Sequence, residues 1–547
     1  MAQGPVGGRV GGDVAGQSQG AVETELKFEV PADGARLSLS SLVGAVPGAH
    51  AIGAARAMTQ TATYYDTPDL ALLASKRTLR RRTGGTDAGW HLKTPGGAIG
   101  SAGAPAVDAA VCREFHEPLG HARSGPPIVL REQVEDIVGR EVLLPVAVMR
   151  TVRVRRELLA ADGRVLALLE DDSVQAWRPG RSDESAPPIV AWRELEVELV
   201  EGGADDLTAL ADALAAAGFV LSRAPSKLNR ALEGLGLRPG PSSAVPADVM
   251  ADPSGERLAV WRYLAAQVGV LQSLEAQVVR DEPDAVHKTR VASRRLRATL
   301  GTIRPWLDTQ ESQAMRLRVR WLTRVLAPAR DGEVVRARLL ASLDDLPRAD
   351  IRGPVRRRMV RSLDAAHAQA HARGAAAMRS PRFARLIGDL LELLLDLPWI
   401  PNLDDAPGVP QLLDASRRRV RTLVLRAEEA ADATEREFLR HEVRKKAKAA
   451  RYAVEASQQG GILAEQSGLT KGEAAAAADL DSWVDLQELL GDHQDAVVAR
   501  EVLRRLAREA RAAGEDTYTY GVLVGRETQR IAEGDARMEG ALEEALG

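Results

Sequence analysis

The stretch Trp192-Arg193-Glu194-Leu195-Glu196-Val197-Glu198-Leu199 places a carboxylate at every second position and an aliphatic residue between them. Successive side chains of a strand point to opposite faces, so Glu194, Glu196 and Glu198 share one face and Leu195, Val197 and Leu199 the other. Taken alone, such a strand is what a half-solvated sheet displays. Three adjacent carboxylates repel one another, however, and gain nothing unless cations or a metal offset them. The same alternation in Glu23-Thr24-Glu25-Leu26-Lys27-Phe28 puts Glu23, Glu25 and Lys27 on one face. Leu79-Arg80-Arg81-Arg82 and His91-Leu92-Lys93 add strand-borne cations. Arg153 and Arg155 have matching parity, Asp171 and Asp172 follow the strand 165–169, and Lys227 lies near the end of the region. Charges of both signs on many strands suit a closed antiparallel β-barrel with a wet, charged lumen. There Arg and Lys would bind phosphate oxygens while carboxylates hold a hard divalent cation.

Outward from these strands, a mostly period-two pattern spans residues 21–237. The Gly-rich residues 1–20 are expected to be a disordered tail, and 238–254, beginning Arg238-Pro-Gly-Pro, a linker. Residues 255–547 have helical periodicity and read as an all-α domain of two related bundles joined near 398–410. The relation lies in two basic stripes. His287, Arg290, Arg294 and Arg297 have the spacing i, i+3, i+7, i+10, and so do His441, Arg444, Lys448 and Arg451, with Lys445 beside them. At about 100° per residue each set falls on one helix face. An apolar turn and an acidic cluster follow each stripe, at Asp331-Gly332-Glu333 and at Asp492-His493-Gln494-Asp495. A single stripe could be a solvated helix face. Two stripes, with few acidic residues between His287 and Arg330, imply a long anion.

Composition bounds the remaining possibilities. A net charge of −3 says that any basic surface is local. One cysteine, Cys112, excludes an intrachain disulfide and a cysteine-based zinc site and fits a reducing cytoplasm. No signal segment and no membrane-length apolar run is evident, so a soluble, cytoplasmic protein is expected. Aromatic residues are 3% of the chain, leaving few stacking platforms for nucleic acid. His367 and His371 have the four-residue spacing of a helical zinc pair, but the sequence offers no evident third ligand.

At the level of families, Glu23-x-Glu25-x-Lys27 matches the signature of the CYTH domain. This is the fold of the triphosphate tunnel metalloenzymes, which include thiamine triphosphatases and a class of adenylyl cyclases. Tyr64-Tyr65-Asp66-Thr67-Pro68, Thr78-Leu79-Arg80-Arg81-Arg82, Trp90-His91-Leu92-Lys93, Arg193 to Glu198 and Ser226-Lys227 resemble the same family. His116, within Arg113-Glu-Phe-His, departs from it, standing where relatives often have an arginine. The helical half resembles a CHAD domain through the two stripes and Leu489-Leu-Gly-Asp-His-Gln-Asp495. The resemblance implies a triphosphate tunnel fused to a polyphosphate-binding helical domain, with possible association with polyphosphate granules.

The expected activity is metal-dependent hydrolysis of inorganic triphosphate or a related polyphosphate, with Glu23, Glu25, Lys27 and Glu196 as catalytic residues. Arg80, Arg82, Lys93, Arg153 and Lys227 would bind substrate. Mg²⁺ or Mn²⁺ would be held among Glu23, Glu25, Asp171, Glu194, Glu196 and Glu198. Parity does not separate Asp171 from Asp172, nor Arg153 from Arg155, as the inward residue. The alternative is a non-catalytic polyphosphate-binding scaffold. Nucleotide cyclisation is a third option, for which no adenine-reading feature is evident. The oligomeric state is not legible.

Overall fold

A computed structural model describes residues 21–30, 39–96, 110–120, 125–180, 187–432 and 471–546, with isolated positions between 435 and 455. The expected tail at 1–20 lies outside the described residues. Cα proximity divides the chain into two units, one comprising residues 1–120, 129–137 and 144–244, the other 121–128, 138–143 and 245–547.

The first unit is built on ten antiparallel strands. These are β1 (Ala21–Glu29), β2 (Ala49–Ile52), β3 (Arg56–Asp66), β4 (Thr78–Gly84), β5 (Gly89–Pro95), β6 (Ala110–Glu117), β7 (Leu144–Ala160), β8 (Val165–Trp177), β9 (Val190–Leu199) and β10 (Val220–Leu221). Eight of them pair in the order β1-β6-β5-β4-β3-β7-β8-β9, and β9 returns to β1, closing an antiparallel barrel. β2 adds to β7 and β10 to β1.

Closure removes the sheet edges and turns alternation along each strand into a distinction between inside and outside. Leu26, Phe28, Leu169, Leu195 and Val197 face outward into an apolar cluster. The helices Leu39–Ala45 and Ala204–Ala216 cover it, the first through Leu42 and the second through Leu207, Leu210 and Leu214. Each such large side chain, fully buried, contributes about 1.5–3 kcal/mol. The stability of the barrel therefore comes from its outer shell, which leaves the lumen free to be polar. Residues 238–254, expected to be a linker, form turns and the short helix Ala247–Met250, with Val245 and Val249 buried, and the boundary between the two units falls within them.

The second unit is helical. Its longer helices are Glu256–Ser273, Ala285–Thr302, Thr309–Val325, Ala327–Asp344, Val355–Met378, Pro381–Leu395, Val409–Glu429, Lys471–Ala512 and Tyr518–Leu546. Val335, Leu339, Met359 and Leu363 share one core with Leu503, Leu506, Tyr520 and Leu523. Helices from both sides of residues 398–410 thus bury their apolar faces together. That segment breaks the helical pattern but does not divide the core. No helix among the described residues is long and apolar enough to cross a membrane.

Candidate active site: a charged tunnel

The barrel encloses a cavity of about 630 Å³, within the range of roughly 300–1,000 Å³ usual for ligand sites. β1 contributes Glu23, Glu25 and Lys27, and β4 contributes Arg80 and Arg82. Lys93 comes from β5, Glu114 from β6, Arg153 and Arg155 from β7, Glu170 from β8, and Glu196 and Glu198 from β9. Lys227 is the first residue of the helix Lys227–Gly234. Ser226 caps that helix by accepting from the Asn229 amide at 3.1 Å, which fixes where the Lys227 stem enters the lumen.

Cross-strand register decides which charges meet. Asp172 is opposite both Arg153 and Glu194, Glu170 is opposite Arg155 and Glu196, Glu196 faces Lys27, and Glu25 faces Glu198. Like charges directly opposite are unfavourable, so the interleaved cations hold the array together. Lys227 Nζ lies 3.0 Å from Asp172, 2.7 Å from Glu194 and 2.6 Å from Glu196. Arg153 grips Asp172 with two nitrogens, at 2.8 and 2.6 Å, reaches Glu196 at 3.0 Å and pairs with Glu170. Lys27 sits 2.7 Å from Glu25 and 3.6 Å from Glu196, while Lys93 sits 2.6 Å from Glu23 and 3.7 Å from Glu25. Arg80 donates to Glu114 at 3.3 Å, and Arg82 pairs with Asp87.

These neighbours set the protonation states. Burial would raise Glu25 and Glu196, but Lys27 and Lys93 hold the first below the usual carboxylate range, and Lys227, Lys27 and Arg153 hold the second well below it. Glu23 goes the other way: burial and a hydrogen bond with Glu114 push it up to about 7. Burial also raises Glu198, with Glu170 nearby. Desolvation, with Arg80 nearby, lowers Arg82 to about 10. Burial pushes the Cys112 thiol up to about 11, so this lumen sulfur is not a thiolate near neutral pH.

One site residue expected from sequence is misplaced. Asp171 does not enter the lumen: it lies on the outer face, where Arg193 donates to it at 2.8 Å. Its neighbour Asp172 is the inward carboxylate and is fully buried. The reason is register, since only the residue opposite Arg153 shares its side of the pleat. Arg153 and Arg155 both face inward. Glu114 and Glu170 are lumen residues not expected from the sequence, and His91, expected only as a strand-borne cation, is a buried neighbour of Glu114. Glu114 alternates with Cys112 and His116 along β6, a parity signal that was available in the sequence. His91 is buried, bonded to Glu114 through Nδ1 at 3.0 Å and to the Asp87 carbonyl through Nε2 at 2.9 Å. Tyr64 also lines the tunnel. Asp66, in the same motif, is structural, accepting from the amides of Thr67, Leu72 and Leu73.

The donor set fits a divalent cation. Asp172, Glu194 and Glu196, all buried, can each offer an oxygen within 4.8 Å of the others, and all-oxygen carboxylate groups are what Mg²⁺ and Mn²⁺ prefer.

In the helical unit, His287, Arg290, Arg294 and Arg297 lie on Ala285–Thr302 and are half-buried. Arg290 donates to the Ala327 carbonyl at 2.9 Å and to Asp331 at 3.0 Å. Burial, with Arg330 and Arg294 nearby, lowers the His287 pKa. Burial also lowers Arg297, which has Arg320, Arg316 and Arg324 around it. Arg297, Arg316, Arg419 and Lys446 line a pocket of about 90 Å³. His441, Arg444 and Lys448 lie outside the described residues. Of the rest of the second stripe, Lys445 pairs with Glu442 at 2.7 Å, and Arg451 with Glu455 at 3.4 Å. Glu455 also binds Arg295 at 2.8 Å, and both arginines lie over the Tyr452 ring, so the two basic segments meet there.

The CYTH domain family model matches residues 21–232 and the CHAD domain model residues 262–504. The chain belongs to the CYTH–CHAD two-domain proteins. An uncharacterized protein of Mycobacterium tuberculosis is 34% identical over 493 residues, 88% of this chain and 88% of that protein. Human thiamine-triphosphatase is 40% identical over 81 residues, 15% of this chain and 30% of that enzyme. Among solved structures, the CHAD domain from the plant Ricinus communis is 24% identical, covering 52% of this chain and 91% of its own, with a TM-score of 0.39.

Proposed function

We propose that the barrel hydrolyses inorganic triphosphate or a related short polyphosphate with Mg²⁺ or Mn²⁺, and that the helical domain binds polyphosphate. The observation that carries this reading is the interleaving of buried cations and carboxylates around one enclosed cavity. A tunnel meant only to hold an anion would need the cations alone, and its carboxylates would oppose the ligand. Carboxylates interleaved among the cations make sense if a second, positive ligand accompanies the anion. The matches to the CYTH domain and, over a short stretch, to a thiamine-triphosphatase support the same class of reaction.

Asp172, Glu194 and Glu196 would hold the metal, with Glu23, Glu25 and Glu198 further along the lumen. When bound, the ion supplies Lewis-acid polarisation of a phosphoryl oxygen. The protein's own part is positioning and charge stabilisation, which is most of what phosphoryl transfer requires. Lys27, Lys93, Arg80, Arg82, Arg153 and Lys227 exchange carboxylate partners for phosphate oxygens as substrate enters. The Glu23 carboxylate, with its pKa near 7, is suited to accept a proton from an attacking water. No covalent nucleophile is required.

The test is phosphate release from triphosphate, long-chain polyphosphate and ATP, each with Mg²⁺, with Mn²⁺ and with chelator. Metal-dependent release, fastest on triphosphate, is expected. Tight binding without release on any of the three would identify a polyphosphate-binding scaffold instead.

A further inference from the structure

Trp192 stands two residues before Glu194 on β9, so its side chain lies on the same face of the strand as the lumen carboxylates. It is half-buried, and its indole Nε1 donates to Glu194 Oε2 at 2.6 Å. The other oxygen, Glu194 Oε1, lies 2.7 Å from Lys227 Nζ. Asp172 Oδ2 and Glu196 Oε2 lie 3.0 and 2.6 Å from the same nitrogen. Three carboxylate oxygens thus converge on one cationic point, and each carboxylate also has a second partner. For Asp172 and Glu196 it is the Arg153 guanidinium; for Glu194 it is a neutral indole. The ring of Trp192 is itself braced. The Arg230 guanidinium lies over it, 5.3 Å from the centroid, on the same helix that delivers Lys227.

We propose that Trp192 is a positioning residue for Glu194: its N–H pins one carboxylate oxygen, so that the other alone is offered to the cation. The proposal rests on the metal-dependent reading of the barrel. A neutral donor holds Oε2 without adding a positive charge that would repel an incoming ion, and it leaves Oε1 at the place where Lys227 Nζ stands. With Oε2 engaged, Glu194 cannot close both oxygens on one ion. That restriction suits small octahedral ions such as Mg²⁺ and Mn²⁺, which are served by single oxygens at fixed positions. It works against Ca²⁺, which takes roughly six to eight oxygens and gains from carboxylates that bind through both. Trp192 therefore sets both the strength of cation binding and its selectivity, through a residue that touches neither cation nor substrate.

The experiment uses the intact chain, freed of metal with chelator, and reads Mn²⁺ affinity from the paramagnetic resonance of the free ion, with Ca²⁺ as competitor. No substrate is present, so the readout is independent of turnover. The tunnel equivalent is the one that Glu196→Gln removes. Trp192→Phe, which keeps a ring beneath Arg230 but has no donor, should weaken that equivalent on the order of tenfold. Ca²⁺ should weaken less, so the preference for Mn²⁺ should fall at least about threefold. Arg230→Met, which leaves the indole N–H in place, should keep the wild-type preference. Metal-free circular dichroism checks the fold; if Trp192→Phe fails it, Trp192→Leu is measured in its place against the same expectations. A folded variant with wild-type Mn²⁺ affinity and preference would overturn the positioning role alone. So would an equal loss of preference in Arg230→Met, which would trace the effect to the seating of the helix Lys227–Gly234. Wild-type protein with no Mn²⁺ equivalent that Glu196→Gln removes would overturn it together with the metal reading of the barrel.

Discussion

Replacing Lys227 with Met removes the ammonium that three buried carboxylates share while keeping most of the apolar stem. Arg153 still serves Asp172 and Glu196, at 2.6 and 3.0 Å, but Glu194 is left with the Trp192 indole N–H at 2.6 Å. Removing one partner of a buried ion pair costs about 3–5 kcal/mol. With Arg153 in place the lower end applies, about 3 kcal/mol. Hydrogen exchange of β8 and β9 amides in the intact chain reads this locally, whatever the other unit does. At about 1.4 kcal/mol per tenfold, protection should fall on the order of 100-fold. Because Lys227 competes for the same oxygens, Mn²⁺ should bind the substrate-free variant more tightly than wild type. At 100 times its dissociation constant, the ion would restore about 2.7 kcal/mol. Triphosphate affinity should fall at the same time. A loss of protection under threefold, or no recovery with Mn²⁺, would refute the idea that the ammonium and a metal compete for one set of carboxylates.

Adjacent aspartates should behave oppositely: Asp171→Asn, on the outer face, should change stability by less than about 1 kcal/mol and leave turnover intact, whereas Asp172→Asn should remove most phosphate release. Glu23 keeps its proton in the native state up to about pH 7 and loses it near 4.5 when unfolded. Its contribution to metal-free stability is therefore full below about 4.5 and lost as pH rises to 7, and Glu23→Gln should flatten denaturation midpoints across that window. In the helical unit, Arg297→Glu and Lys446→Glu line one pocket, so their effects on long-chain polyphosphate binding should be non-additive, while a short triphosphate should show little coupling; strict additivity on the long chain would mean independent sites.

Parity made much of the tunnel legible, because Glu194, Glu196 and Glu198 alternate with residues that had to be apolar. Asp171 and Asp172 were not separable that way: two adjacent carboxylates satisfy either parity, and only the pairing of β7 with β8 chooses between them. Glu170 carried no such signal because it sits at the end of an aliphatic run, whereas Glu114 shares its parity with Cys112 and His116 and was legible in the same way. In the helical half the stripes were visible as spacing, but not their burial or the Arg295–Glu455–Arg451 junction, which depends on helix packing. The shared core of Val335 and Leu503 was hidden for the same reason. So was Asp281, whose carboxylate pairs with both His367 and His371, because proximity across helices leaves no periodic signature.

Glu196 contacts Lys27, Arg153 and Lys227 at once, so Glu25→Gln and Glu196→Gln measured for both binding and turnover test the enzyme reading most directly. If these carboxylates hold the metal, phosphate release from triphosphate with Mg²⁺ or Mn²⁺ should collapse while metal-free triphosphate binding persists or tightens. Wild-type protein that binds triphosphate yet releases no phosphate with either ion between about pH 6 and 10, across the range where Glu23 and its neighbours change charge, would contradict it.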